Sequence, residues 1–168
     1  MPVYTIPIML VEIDPAMLPR PAIATPSKVL IVTKEEALRK FESEICAAAG
    51  YEALHARWGD QALDLYREHA PLALVITDLL YEWTDWRMAV RNEGENVKNG
   101  LQLALAARRL YSQQRVVIQT YAALDHVTGF MVNNLLINDL AGVNLLHKPF
   151  RPEQLLALLK EEEIPKAG

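Results

Sequence analysis

Short apolar runs alternate with longer segments of helical periodicity along most of the chain. Five runs are predicted strands, and they cover residues 28–32, 51–56, 72–78, 115–120 and 142–147. Four of them are short and rich in Val, Ile and Leu, and the run at 51–56, YEALHA, alternates as a strand does. Each is followed by a segment whose apolar positions recur three and four residues apart; these segments cover residues 35–49, 58–69, 99–111, 123–140 and 151–163. The pattern predicts five consecutive strand–helix units.

The third run, LALVIT before Asp78, has no polar interruption until its end. Such a strand is buried on both faces, which is typical of a parallel sheet covered by helices. We therefore predict an α/β fold, a doubly wound five-stranded parallel sheet flanked by helices. Ligands and chemistry collect beyond the carboxyl ends of such strands. The candidate site residues are those at the strand ends: Thr33, Lys34, Asp78, Thr120, Tyr121, His147 and Lys148.

Length, charge and cysteine content narrow the class of protein. The chain has 168 residues, which suits a single domain of the usual ~100 to 200 residues; we assign residues 1–27 to an N-terminal extension and 28–164 to the domain. The formal net charge of -4 provides no basic surface for nucleic acid, and no stretch is long enough to span a membrane. A single cysteine, Cys46, forms no internal disulfide, which fits a cytoplasmic location.

Three of the strand-end residues form a chemically coherent set. The topology brings the carboxylate of Asp78, the hydroxyl of Thr120 and the ammonium of Lys148 towards one crevice. A carboxylate can accept a phosphoryl group, while a hydroxyl and an ammonium hold the phosphate oxygens. The plainer alternative is structural: Asp78 caps the next segment, Thr120 satisfies a loop, and Lys148 neutralises Asp78. Three such residues, each ending its own strand, favour a site.

The chain resembles the receiver domain of bacterial response regulators over residues 28–163. The resemblance is carried by KVLIV, AAAGYEALHARWGDQALDLYREHAPLALVITDLL, NGLQLALAARR, VVIQTYA and LLHKPFRPEQLLALL. It implies a receiver or flavodoxin-like (βα)5 fold with an N-terminal extension. It also implies that Asp78 is the phosphoacceptor, Thr120 the switch hydroxyl and Lys148 the phosphate-binding lysine.

The end of the first strand departs from this family. Receiver domains carry two adjacent acidic residues there, which hold Mg²⁺, whereas this chain has Thr33 and Lys34. Magnesium needs hard oxygen ligands, usually including carboxylates, so we expect weak or no Mg²⁺ binding and no cofactor. We further expect Lys34 to pair directly with Asp78. The alternative is a metal site rebuilt from Asp78 with Glu35, or from Glu82 and Asp85.

Two further departures concern the switch. The residue after the switch hydroxyl is small in most receivers, but here it is the bulky Tyr121. The aromatic switch position maps to Leu145, so the coupled rotation of an aromatic ring is lost. Together with the altered acidic pair, these changes predict that phosphorylation at Asp78 is weak or absent.

An insertion at about residues 81–98 stands where receivers have a short loop. It contains Trp83 and Trp86, which either contact a partner or attach the insertion to its own domain. Residues 1–27 are expected to form an extra edge strand or a dimer arm.

The leading hypothesis is a receiver-like signalling module, not an enzyme, that acts through protein–protein contacts. Its partner would be a histidine kinase or a downstream effector, and a homodimer is a further option. One alternative is a conventional phosphoacceptor response regulator of a two-component system. A second is a flavodoxin-like binder of a small molecule or nucleotide, although no Gly-rich phosphate loop follows the first strand.

Overall fold

The computed structural model describes residues 26–79, 97–133 and 138–160. Five strands form one parallel sheet in the order β2-β1-β3-β4-β5. The strands are β1 (Lys28–Val32), β2 (Glu52–Ala56), β3 (Leu74–Asp78), β4 (Val116–Thr120) and β5 (Asn144–His147). The strand order reverses between β1 and β3, which places the crevice of a doubly wound sheet at their carboxyl ends. The predicted five-stranded parallel sheet is confirmed.

Five described helices follow the strands. They are α1 (Glu36–Ala48), α2 (Gly59–His69), α3 (Gly100–Leu110), α4 (Leu124–Asn133) and α5 (Pro152–Lys160). Most described bounds lie within one or two residues of the predicted ones. The predicted helical segment 123–140 differs most, because its last residues, 138–140, form a turn. No described helix is long and apolar enough to cross a bilayer.

Two apolar layers cover the faces of the sheet. Helices α2, α3 and α4 pack on one face, around side chains such as Leu30, Val75 and Ile118. Helices α1 and α5 pack on the other, around side chains such as Ile31 and Ile76. Burial of apolar area on both faces explains why the central strands β1, β3 and β4 are largely apolar.

Local sequence signals fix one end of α1 and one end of α3. Helix α1 is followed by Gly50 with a φ of 89°, a left-handed conformation that glycine adopts without a Cβ clash. Helix α3 begins after Asn99, whose side-chain oxygen accepts a hydrogen bond from the backbone N–H of Gln102 at 2.9 Å. The cap places the first residue of α3, Gly100, directly against the end of β3.

Because Gly100 has no side chain, the start of α3 can lie close to the backbone of Asp78. A Cβ at this position would lie 2.3 Å from the backbone carbonyl oxygen of Asp78. Because a strand backbone cannot yield as a flexible side chain can, Gly100→Ala should lower the free energy of unfolding by about 1 to 3 kcal/mol. Gly129→Ala is the matched control, since a Cβ there meets nothing within 4 Å and should stabilise helix α4 by about 0.5 to 1 kcal/mol. Urea denaturation of both variants checks this, and equal effects would show that the contact is unimportant.

Candidate functional site

Asp78 lies at the centre of a buried polar cluster beyond the carboxyl ends of the strands. It is the last residue of β3, and only 5% of its surface is exposed. Its Oδ2 accepts a hydrogen bond from Thr33 Oγ1 at 2.6 Å. Its Oδ1 accepts from Lys148 Nζ at 3.0 Å and from Gln119 Nε2 at 3.1 Å. Both carboxylate oxygens are therefore engaged within the domain.

Thr33 joins the first strand to the cluster. Its backbone N–H extends the pairing with β2 by donating to the carbonyl of Ala56 at 3.1 Å. Its Oγ1 accepts from the backbone N–H of Glu35 at 3.1 Å and donates its own proton to Asp78. Because one hydroxyl serves as acceptor and donor, Thr33 fixes the turn into α1 and the carboxylate of Asp78 together.

Lys148 connects Asp78 to a second carboxylate. Its side chain is 7% exposed, and Nζ donates to Glu35 Oε2 at 2.6 Å as well as to Asp78. The other oxygen of Glu35, Oε1, accepts from the hydroxyl of Tyr121 at 2.9 Å. The ring of Tyr121 lies over the ammonium, 4.5 Å from Nζ to the ring centroid, a favourable cation–π arrangement. One cation thus holds two carboxylates beneath an aromatic ring.

The ionisation of these groups follows from burial and pairing. Burial raises the pKa of Asp78, although hydrogen bonds from Thr33 and Lys148 act in the opposite direction. Burial alone would lower the pKa of Lys148, but its bonds to Glu35 and Asp78 raise it overall. Burial alone would raise the pKa of Glu35, but the bonds from Lys148 and Tyr121 lower it overall. Lys148 therefore stays charged, and its positive charge favours the ionised form of both carboxylates.

The predicted contact between Lys34 and Asp78 is wrong. The side chain of Lys34 is exposed, and no hydrogen bond or ion pair joins it to Asp78 among the described residues. Successive side chains of an extended chain point in opposite directions, and Thr33 is the one directed at Asp78. Lys34 lines the cleft over the cluster.

Thr120 and Leu145 lie near the cluster without contacting Asp78. Thr120 is buried and lines the same cleft, but its Oγ1 accepts from the backbone N–H of Ala122 at 3.0 Å. Leu145 is half-buried and packs against the apolar layer on the α2 and α3 side. The switch role that the resemblance implies for Thr120 stays a prediction. Leu145 is an aliphatic core side chain here.

Sequence reasoning missed two members of the cluster, Gln119 and Glu42. Gln119 Nε2 donates to Asp78 and also to Glu42 Oε1, at 3.1 Å each. Both residues carry a signal in the sequence. Gln119 interrupts the apolar strand VVIQT, and Glu42 occupies an apolar-repeat position of α1, between Leu38 and Ile45.

The residues present fit a magnesium ion poorly. Among the described residues no group of three or more His, Cys, Asp or Glu side chains is arranged to hold a metal. Glu35, a carboxylate that shares Lys148 with Asp78, is bound to Lys148 and Tyr121. Thr33 contributes a neutral hydroxyl, and Mg²⁺ prefers a site with carboxylates and ideal octahedral geometry.

Four residues of the predicted insertion and metal set lie outside the described residues. They are Glu82, Trp83, Asp85 and Trp86. The partner contact predicted for the two tryptophans stays a prediction, as do the domain bounds and the role of residues 1–25.

Comparison with known proteins supports the fold. No protein-family model and no curated protein matches the sequence. Among solved structures, the chemotaxis protein CheY4 of Vibrio cholerae matches with a TM-score of 0.59 and 24% identity, covering 80% of this chain and 96% of that one. A CheY-like response regulator receiver domain protein from Methanospirillum hungatei JF-1 matches with a TM-score of 0.58 and 22% identity, covering 80% and 91%.

The structure of a response regulator receiver protein from Sinorhizobium medicae WSM419 is about as similar to this chain as those two structures are. It has a TM-score of 0.59 and 20% identity, covering 80% of this chain and 94% of that one. Structural similarity at this level of sequence identity shows the fold alone, so the function has to be argued from the residues of the site. The chain has the fold of the CheY-like response regulator receiver domains.

Proposed function

We propose that this chain is a receiver-like signalling module that acts through protein–protein contacts, with phosphorylation at Asp78 weak or absent. One observation carries the proposal: both oxygens of Asp78 already accept hydrogen bonds from Thr33, Lys148 and Gln119. The residue bonded to Oδ2 is a threonine that stands where the family has an acidic residue. Asp78 is thus a structural anion in a satisfied site.

Phosphorylation of Asp78 would require several of these bonds to be given up. A carboxylate oxygen must attack the phosphorus, and the incoming group brings negative charge to a place that already holds Asp78 and Glu35. Catalysis of phosphoryl transfer is almost entirely positioning and electrostatic stabilisation. Lys148, the one buried cation among the described residues, is shared between two carboxylates, so little positive charge is left for a phosphoryl group.

A specific observation favours one alternative, a conventional phosphoacceptor of a two-component system. Glu35 lies within the cluster, so its carboxylate could serve as a ligand in place of the missing acidic pair. This would require Glu35 to leave both Lys148 and Tyr121. The proposal and this alternative make opposite predictions about phosphorylation of the natural chain.

The partner in this proposal is a protein, either a histidine kinase or a downstream effector. The similarity of the fold to a chemotaxis protein and to response regulator receiver domains supports a partner of this kind. Such a partner would be met in the cytoplasm, in agreement with the location predicted from the sequence.

Incubation with acetyl phosphate and Mg²⁺, followed by intact-mass measurement, tests the proposal. The natural chain should gain no phosphoryl group. The variant Thr33→Asp, Lys34→Asp, Tyr121→Ala should gain one, because two acids restore metal ligands and the small residue opens the cleft over Asp78. The same triple variant with Asp78→Asn is the control and should gain none. Ready phosphorylation of the natural chain at Asp78 would favour the alternative and overturn the proposal.

A further inference from the structure

A carboxyl group lies buried inside the layer between α1 and the sheet. Glu42 is 0% exposed. The side chains around it on α1, such as Ile45 and Cys46, belong to the apolar layer that covers this face of the sheet. An ionised carboxylate in such a place is costly unless it is paired with a cation. No cation is bound to Glu42 among the described residues; its one hydrogen bond there comes from the neutral amide of Gln119.

Gln119 connects this group to Asp78. Its Nε2 donates one hydrogen to Glu42 Oε1 and the other to Asp78 Oδ1, both at 3.1 Å. The orientation of the amide follows from its partners, since the reversed orientation would place an oxygen against two carboxyl oxygens. The amide therefore has no hydrogen left for any other acceptor.

Two buried atoms of this pair have no hydrogen-bond partner. They are Glu42 Oε2 and Gln119 Oε1. Each is an acceptor, and each belongs to a group that is already joined to the other through its second atom. A single proton on Glu42 Oε2, donated to Gln119 Oε1, satisfies both. Leaving both atoms unpaired would cost each group its hydration with no hydrogen bond in return.

We propose that Glu42 is a neutral carboxylic acid that donates its proton to Gln119, and that this doubly hydrogen-bonded pair positions the Gln119 N–H bound to Asp78. Glu42 is thereby a positioning residue, which acts on the site through Gln119 and contacts no part of Asp78. The proposal goes beyond the function proposed above and holds whether or not Asp78 is phosphorylated.

The electrostatic surroundings of Glu42 favour the neutral form. Burial raises the pKa of Glu42 to about 8, although the hydrogen bond from Gln119 acts in the opposite direction. The ionisable groups that face it come from β3, the loop after β1, the end of β5 and the next turn of α1: Asp78, Glu35, Lys148 and Cys46. Helix α5 contributes apolar side chains to this layer. The two neighbouring carboxylates disfavour a third negative charge, and Lys148 is already bound to both.

The proton creates a defined pH dependence. The pKa of Glu42 is raised in the folded chain, so between about pH 5 and about pH 8 the folded chain holds a proton that the unfolded chain has lost, and stability falls as the pH rises. Above this window the folded chain loses the proton too, Glu42 Oε2 and Gln119 Oε1 become two facing acceptors, and Gln119 is no longer fixed from that side.

Glu42→Gln tests the proposal, because an amide reproduces both hydrogen bonds of the neutral acid and has no proton to lose. Urea denaturation of the natural chain and the variant across this pH range should give unfolding constants whose ratio changes by about tenfold per pH unit, with the variant the more stable at alkaline pH. Glu44→Gln, at an exposed position two residues along the same helix, should leave the pH dependence of the natural chain unchanged. Parallel pH profiles for the natural chain and Glu42→Gln would overturn the proposal.

A spectroscopic measurement keeps the test decisive if the variant does not fold. The carboxyl-carbon resonance of Glu42 in the natural chain should titrate with a midpoint above about pH 7, and the side-chain amide protons of Gln119 should shift with the same midpoint. Titration of Glu42 in the acidic range, or amide protons that do not follow it, would contradict the pairing.

Discussion

Replacing Lys148 by methionine is expected to lower the free energy of unfolding by about 3 to 5 kcal/mol at neutral pH. Methionine keeps most of the volume of the side chain and removes its charge. Asp78 is then left as a buried carboxylate with only neutral donors, Thr33 and Gln119, and Glu35 loses the partner of its Oε2. Breaking a buried pair by removing one member costs more than removing both, since the remaining charge is uncompensated.

The loss should depend on pH in a defined direction. Burial already raises the pKa of Asp78 in the natural chain, and removal of the nearest cation raises it further. A folded chain that binds a proton more tightly than the unfolded chain loses stability as the pH rises through that range. The difference in free energy of unfolding between the variant and the natural chain should therefore be small in acid, where Asp78 is protonated in the folded and the unfolded chain. It should grow towards neutral pH.

Two further variants distinguish this cause from a general loss of packing. Lys34→Met removes a charge from an exposed side chain that makes no contact with Asp78, so it should change stability by no more than about 0.5 kcal/mol. Adding Asp78→Asn to Lys148→Met removes the uncompensated charge and should recover part of the loss. A Lys34→Met variant as unstable as Lys148→Met would show that Lys34 does pair with Asp78 in solution.

The fold followed from the sequence because its signals are local and strong. Strands β1, β3 and β4 are apolar runs that must be buried on both faces, and the helices between them repeat with the helical period. Residues 138–140, which form a turn, were predicted to be helical because the sequence up to Leu140 stays partly apolar, and apolar content alone does not mark a helix end. Asn99 and Gly50, in contrast, are explicit end signals and stand where the helices stop or start.

The sequence predicts a site residue only where its position at the end of a strand decides where its side chain lies. Asp78 and Lys148 end their strands, and the parallel sheet brings such ends together. Only one of the neighbours Thr33 and Lys34 can face Asp78. The pairing of β1 with β3 decides which one does, and the sequence does not show this pairing. Glu42 and Gln119 were missed because their meeting depends on how α1 packs across β4, a contact between residues 77 positions apart.

The altered acidic pair leads to the second large effect, which Thr33→Asp should reveal. A carboxylate at this position replaces a hydroxyl that donates to Asp78 Oδ2 at 2.6 Å. The variant loses a hydrogen bond to a charged group and gains a like charge at close range, so it should be less stable than the natural chain by about 3 to 5 kcal/mol at neutral pH without metal. Two adjacent carboxyl groups can share one proton, so this loss should shrink as the pH falls.

Thr33→Asn is the matched control, because asparagine has the shape of aspartate and a neutral amide that can still donate to Asp78. The difference in free energy of unfolding between Thr33→Asp and Thr33→Asn therefore measures the effect of the added charge. Magnesium should then separate them further: an ion that binds the folded Thr33→Asp chain stabilises it by mass action, whereas the natural chain and Thr33→Asn lack the second carboxylate and should not respond. Thermal denaturation with and without millimolar Mg²⁺ measures the three responses. Stabilisation of the natural chain by Mg²⁺ to the same extent as Thr33→Asp would mean that Glu35 and Asp78 already form a working metal site, and that Thr33 does not prevent one.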